Sequence, residues 1–186
     1  MTGLSSLLIP ILLSSVVVFI ASSLLHMLTP WHKNDYGRVP NEDQLRDLLR
    51  PLAIPPGDYM VPRPSSRAEM KSSDFAEKFR QGPNLVVTVL PSGSFGIARN
   101  LVLWFLYLLV VSLFAAFVAG RALPPAAGDR QIVKFVGATA FLGYTAALWQ
   151  MSIWYRRSWN TTIKSTVDGI IYALLTAAVF WWLWPQ

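Results

Sequence analysis

The chain has 186 residues, 53% of them apolar and only 14% charged, with a formal charge of +6 and no cysteine. That balance is too apolar for a water-soluble domain of this size, and the lack of cysteine excludes disulfides, thiolate zinc sites and a thiol nucleophile. Excess positive charge alone would suit nucleic acid, but here it flanks apolar runs, which points to a membrane surface.

Long apolar stretches cover residues 4–28, 100–123, 132–155 and 167–184. Each meets or nearly meets the roughly 20 residues that a helix needs to cross a hydrocarbon core of about 30 Å. The expected fold is an all-α membrane protein with transmembrane helices over residues 1–28, 100–123, 132–155 and 160–184, and a small α+β cytoplasmic insert over 29–99. The first span has no basic residue before it, and His26-Met27-Leu28 is a poor cleavage site, so it is read as a retained helix and not a signal peptide.

Lys and Arg set the orientation. Ten lie in the first connection and three more, Arg156, Arg157 and Lys164, in the third, against Arg121, Arg130 and Lys134 on the other side. Basic flanks are held in the cytoplasm. The termini are therefore expected in the periplasm, with residues 29–99 and 156–164 in the cytoplasm and the protein in a bacterial inner membrane. Indoles favour the headgroup level. Trp31, Trp104, Trp154 and Trp159, with Tyr155, are expected to form an inner belt, and Trp181, Trp182 and Trp184 an outer one.

Within the insert, Asn41 predicts the cap of a helix through Arg50, with Gln44 closing a capping box and Leu45, Leu48 and Leu49 as its apolar stripe. A second helix is predicted over residues 74–81, capped by Ser73 and stopped by Gly82. The β-branched run 85–90 reads as a strand, with 58–61 as its partner. A module this small is expected to lean on the membrane or on the inner end of the bundle. Residues 91–96 are expected to form a flexible joint into the second span. At the far end, Asn160 reads as the cap of the fourth helix.

Small residues recur at four-residue spacing in three spans: Ser112, Ala116 and Gly120; Thr139, Gly143 and Ala147; Gly169, Ala173 and Ala177. Such faces let helix backbones approach closely where no hydrophobic effect drives association. They serve either packing within the bundle, the favoured use, or a partner helix.

The Pro40-Asn41-Glu42 helix entry, the 55–62 segment Pro-Pro-Gly-Asp-Tyr-Met-Val-Pro, Gly82-Pro83 before a strand, Arg99-Asn100-Leu101, and the run from Asp168 to Thr176 recur as a pattern. The layout resembles a family of small, uncharacterised, four-span bacterial inner-membrane proteins over nearly the full length. The resemblance implies topology and bacterial origin, and carries no activity.

Candidate chemistry is sparse. His26 and His32 are the only histidines and the candidate metal ligands, with the Met27 thioether and the Asp35 carboxylate nearby to join them on copper, iron or zinc. Their six-residue separation across Pro30 is not that of a helical pair. Asp168 is the ionisable group expected inside a span, and Lys164 stands one turn away as its expected ion-pair partner. Tyr144, Gln150 and Tyr172 complete a candidate polar membrane site with them. No span other than the first, with Pro10, shows the Gly/Pro interruption of a transporter helix. There is no nucleophile elbow, zinc-protease helix or P-loop, so no catalytic residue and no cofactor is predicted.

Three readings follow. The first is an accessory or scaffold subunit whose partners are the bilayer and other membrane subunits or its own copies, with no nucleic acid. The second is a small transporter or channel using Asp168. The third is a metal or haem protein using His26 and His32.

Overall fold

The computed structural model describes residues 1–93 and 96–186; Ser94 and Phe95, in the joint expected over 91–96, lie outside the described residues. A 3-10 turn at Leu4–Leu7 leads into α1 (Leu8–Leu28). The insert holds α2 (Glu42–Leu49), β1 (Gly57–Val61), α3 (Arg67–Met70), α4 (Ser73–Gln81) and β2 (Leu85–Val89). The chain then returns through α5 (Ala98–Ala122), α6 (Asp129–Thr145), α7 (Trp149–Ile153) and α8 (Trp159–Trp182). Among the described residues the protein is mostly helical with one two-stranded sheet, and four helical stretches of 24 or 25 residues are long and apolar enough to cross a membrane.

Two compact units form: Met1–Tyr36 with Gly96–Gln186, and Gly37–Phe95. Residues 29–36, which the sequence reading gave to the insert, belong to the helical unit. In that unit α1 packs on α5 and α8, and α6 packs on the same two, so the four long helices close a ring.

Its interior has two buried clusters. One gathers Leu7, Ile11, Ala116, Val136, Ala177 and Phe180 toward the end that carries the two termini. That end is tied by the Thr2 amide donating to the Gly120 carbonyl at 2.8 Å and by Trp184 Nε1 donating to the Pro124 carbonyl at 3.2 Å. The other cluster packs Val18, Leu108, Val111, Ala140, Tyr144 and Tyr172. Ser14 Oγ and Ser15 Oγ both donate to Ser112 Oγ, at 3.0 and 3.3 Å. Such interhelical bonds contribute only about 0.6 kcal/mol each on average, so close packing does most of the joining.

Two of the three small-residue faces lie in this interior. Ser112, Ala116 and Gly120 are buried, as are Gly169, Ala173 and Ala177. The third does not follow. Thr139 is half-exposed, Gly143 and Ala147 are exposed, and the stripe Ile132, Val136, Ala140 and Tyr144, one residue along, is buried instead. Both stripes have the same spacing, and an outward face in lipid is as apolar as an inward one, so spacing alone does not choose between them. Gly143 still runs close to α5, since a Cβ there would meet Val111 Cγ1 at 2.9 Å.

The third long helix is interrupted. Thr145 sits at φ −126°, ψ −44°, and Ala146–Leu148 tightens into a 3-10 turn before α7 resumes. Neither Gly nor Pro occupies the turn, so no local breaker signal marks it.

The insert's strands pair antiparallel from Gly57 opposite Val89 to Val61 opposite Leu85. Asn41 precedes α2 in a left-handed conformation (φ 53°) without a side-chain cap bond, so the expected capping box does not form. α4 is capped by Ser72, not Ser73: the Phe75 amide donates to Ser72 Oγ at 3.1 Å. Ser158, not Asn160, precedes α8, again without a side-chain cap bond. Removing the α4 cap with Ser72→Ala should weaken that helix by about 1 kcal/mol, seen as roughly fivefold faster amide exchange at Phe75. Unchanged exchange would show that the cap contributes nothing.

Candidate functional site

The residues with chemistry collect where α1 ends and α8 begins. Pro30 cannot continue α1, and with the Trp31 amide donating to Thr29 Oγ1 it opens a 3-10 turn over Pro30–His32. The turn folds the chain back, so the His32 ring stacks on His26, with centroids 4.1 Å apart and planes within 5°. The six-residue spacing that forbids a helical pair is what a one-turn reversal needs. This juxtaposition was not readable from helical periodicity.

A chain of polar contacts runs through the reversal. His32 Nδ1 lies 2.7 Å from Asp35 Oδ2, and Lys164 Nζ donates to Asp35 Oδ1 at 3.0 Å and to the Trp31 carbonyl at 2.7 Å. On the other side of the ring, His32 Nε2 lies 2.8 Å from Asp168 Oδ2, while Trp31 Nε1 donates to Asp168 Oδ1 at 3.1 Å. The side chains of His32, Asp35, Lys164 and Asp168 are only 5 to 14% exposed.

The expected Lys164–Asp168 pair is therefore not formed. Lys164 turns to Asp35, and Asp168 is met by His32 and Trp31. Helix spacing allows an i,i+4 pair, but the reversal after α1 brings a second carboxylate nearer to the ammonium. Trp31, expected in the belt, is a member of this site. Burial by itself would raise the Asp35 carboxyl, but hydrogen bonds from His32 and Lys164, with their charges, outweigh it and hold Asp35 below the usual carboxylate range.

Both rings are oriented by oxygen atoms, which in a carboxylate or a carbonyl can only accept. His26 Nδ1 lies 3.0 Å from the Ser22 carbonyl, and His32 stands between two carboxylates, Asp35 at Nδ1 and Asp168 at Nε2. His32 Nε2 is buried without a hydrogen-bond partner, since its approach to Asp168 is close but poorly directed. Ligand atoms of His26, His32 and Asp168 all lie within 4.8 Å of one another.

Next to this cluster the four long helices surround a cavity of about 520 Å³. Trp104, Tyr107, Tyr144 and Tyr172 line it, with His26 and Asp168 on the side of the cluster. Trp104 is held by Nε1 donating to Ser22 Oγ at 2.9 Å, and the Tyr107 hydroxyl donates to the Gly143 carbonyl. Of the indoles expected in the two belts, Trp104 is half-buried and Trp184 buried, whereas Trp154, Trp159, Trp181 and Trp182 are exposed. Of the polar residues named from sequence, Tyr144 and Tyr172 reach the cavity and Gln150 is exposed outside it. Trp104, Tyr107 and Trp31 carry no sequence signal for the site, whereas Asp35, three residues after His32, is named beside the histidines.

No protein family, curated protein or solved structure matches this chain. The reading of its function rests on the site itself.

Proposed function

We propose that this is a multi-pass membrane protein that binds one divalent first-row transition-metal ion through His26, His32 and Asp168. The observation that carries the reading is the placement of the two imidazoles. Both have Nδ1 against an oxygen acceptor, and ligand atoms of both rings and of Asp168 lie within 4.8 Å of one another. Metal-binding histidines are oriented in this way, by a carboxylate or carbonyl on the other ring nitrogen. Two imidazoles and one carboxylate suit zinc or iron and leave coordination positions open. The same charge count supports it. Imidazoles that ligate a metal are neutral; Asp35 and Asp168 then face only Lys164, and a cation at Nε2 offsets the remaining negative charge.

Four apolar helices and the basic connections support a bilayer around the bundle, with the site at the cytoplasmic boundary and both termini outside. The resemblance to small bacterial inner-membrane proteins supports the same placement. An accessory role for the packing faces is compatible with metal binding. Small-residue grooves alone, however, would not require four ionisable side chains to be withdrawn from water.

Two parallel rings cannot both direct an in-plane lone pair at one ion, so loading turns His26, the more exposed ring, out of the stack. The test is zinc titration of chelator-stripped protein in mild detergent, purified on a tag without histidines. One ion per chain is expected, with binding lost in His32→Ala and weakened about 10–100-fold in Asp35→Asn. Absence of stoichiometric binding, or binding indifferent to His32→Ala, would leave the cluster as an ion-paired helix fastening.

A further inference from the structure

The cavity beside the cluster has a composition that the metal reading does not use. Its four aromatic rings form a closed circuit: Trp104 to Tyr107 at 5.5 Å, Tyr107 to Tyr144 at 6.3 Å, Tyr144 to Tyr172 at 5.8 Å, and Tyr172 back to Trp104 at 6.2 Å. Two of these rings are fixed by hydrogen bonds to neighbouring helices, so the wall is built before any ligand arrives. Among the lining residues Asp168 carries the one negative charge, and no Lys or Arg lines the cavity. Leu101, Met27 and Leu148 make much of the remainder apolar.

From this juxtaposition we infer a binding site for a lipophilic organic cation, a quaternary or delocalised positive charge on an apolar body. Aromatic faces attract such a charge through their quadrupoles, more strongly when water is excluded. Asp168 adds a carboxylate at the same wall, whose attraction for a cation is stronger there than in bulk water. An anion of equal shape meets the same apolar walls but is repelled by the carboxylate. The volume of about 520 Å³ lies in the range that holds drug-sized ligands. The site stands apart from the metal reading, because Trp104 and Tyr107 are not among the proposed ligands. The two cations would nevertheless compete, since both draw on Asp168.

Tetraphenylphosphonium and tetraphenylborate, equal in shape and opposite in charge, provide the test on zinc-free, detergent-solubilised protein. Calorimetry or tryptophan-fluorescence quenching should show the phosphonium saturating at one per chain and binding at least about tenfold tighter than the borate. Asp168→Asn and Tyr107→Leu, each checked for unchanged helical circular dichroism, should each weaken the phosphonium by about tenfold. Zinc should displace it from the unsubstituted protein. Equal binding of the two ions would overturn the proposal, as would phosphonium binding indifferent to both substitutions. The comparison of ions needs no variant, so it decides even if a variant fails to fold. Phosphonium binding without zinc binding would leave this site standing and remove the metal reading; the reverse would do the opposite.

Discussion

Gly169→Ala should be among the most damaging single-methyl changes available in this bundle. A Cβ at that position would lie 2.0 Å from Thr145 Oγ1, 3.3 Å from Thr145 Cβ and 3.5 Å from Tyr144 Cβ. Thr145 cannot simply swing away. It is β-branched, 1% exposed, and sits where α6 gives way to the 3-10 turn, so its χ1 and its backbone are both confined. Relief must come from separating α6 and α8, the most extensively packed pair in the ring. Overpacking of this kind costs typically about 1–3 kcal/mol, and this site belongs at the upper end because the obstacle is the rigid base of a side chain. Thermal unfolding in a fixed detergent should show the loss. Thr145→Ala removes the oxygen, leaving the 3.3 Å contact, and should recover most of it in the double variant. A Gly169→Ala protein as stable as the parent would mean that the two helices do not approach as closely as described.

The same contact shows where sequence reading succeeds and where it stops. The long helices were legible because lipid-crossing length is a local property, counted along the chain. Gly169, Ala173 and Ala177 are legible as a packing face because four-residue spacing puts small side chains on one side of a helix. The strand pair was legible too, since Leu85–Val89 is β-branched and bounded by turn residues. Thr139, Gly143 and Ala147 were equally visible and were misassigned to the interior, because the interrupted helix presents the neighbouring stripe of larger side chains inward. The interruption carries no Gly or Pro and is a response to packing, so nothing local announces it.

The candidate site was legible as a set of residues but not as a set of contacts. His26 and His32 stand together with Asp35 beside them, as their closeness along the chain suggests, whereas Lys164 and Asp168 take partners from the end of α1 in place of each other. Their pairing depends on one turn at Pro30 that returns the chain by a few ångströms. Periodicity rules describe helices and strands, not reversals of that kind. Trp31 and Trp104 were assigned to belts by their position along the chain. Each instead directs its N–H to a buried acceptor, Asp168 Oδ1 and Ser22 Oγ respectively. An indole near a helix end satisfies both descriptions equally well until its partner is seen.

Removing the carboxylate at the centre of the site should have a second large effect. In Asp168→Ala, His32 Nε2 and Trp31 Nε1 each lose the group they face, 2.8 and 3.1 Å away. Breaking one side of a buried charged pair costs about 3–5 kcal/mol, because the stranded partner stays out of water. The protein can lessen that cost in one way, because His32 keeps its second carboxylate partner, Asp35, at Nδ1. The expected loss of stability is therefore at the lower end, about 3 kcal/mol. Asp168→Asn separates the contributions. It keeps an oxygen for Trp31 and a side chain of nearly equal volume, but it surrenders the charge. Its stability should lie between those of Asp168→Ala and the parent, whereas its zinc affinity should fall nearly as far as that of the alanine variant, since a neutral amide is a poor metal ligand. Stability and metal binding that decline together in strict proportion across the two variants would instead mean that zinc loss merely reports a loosened fold.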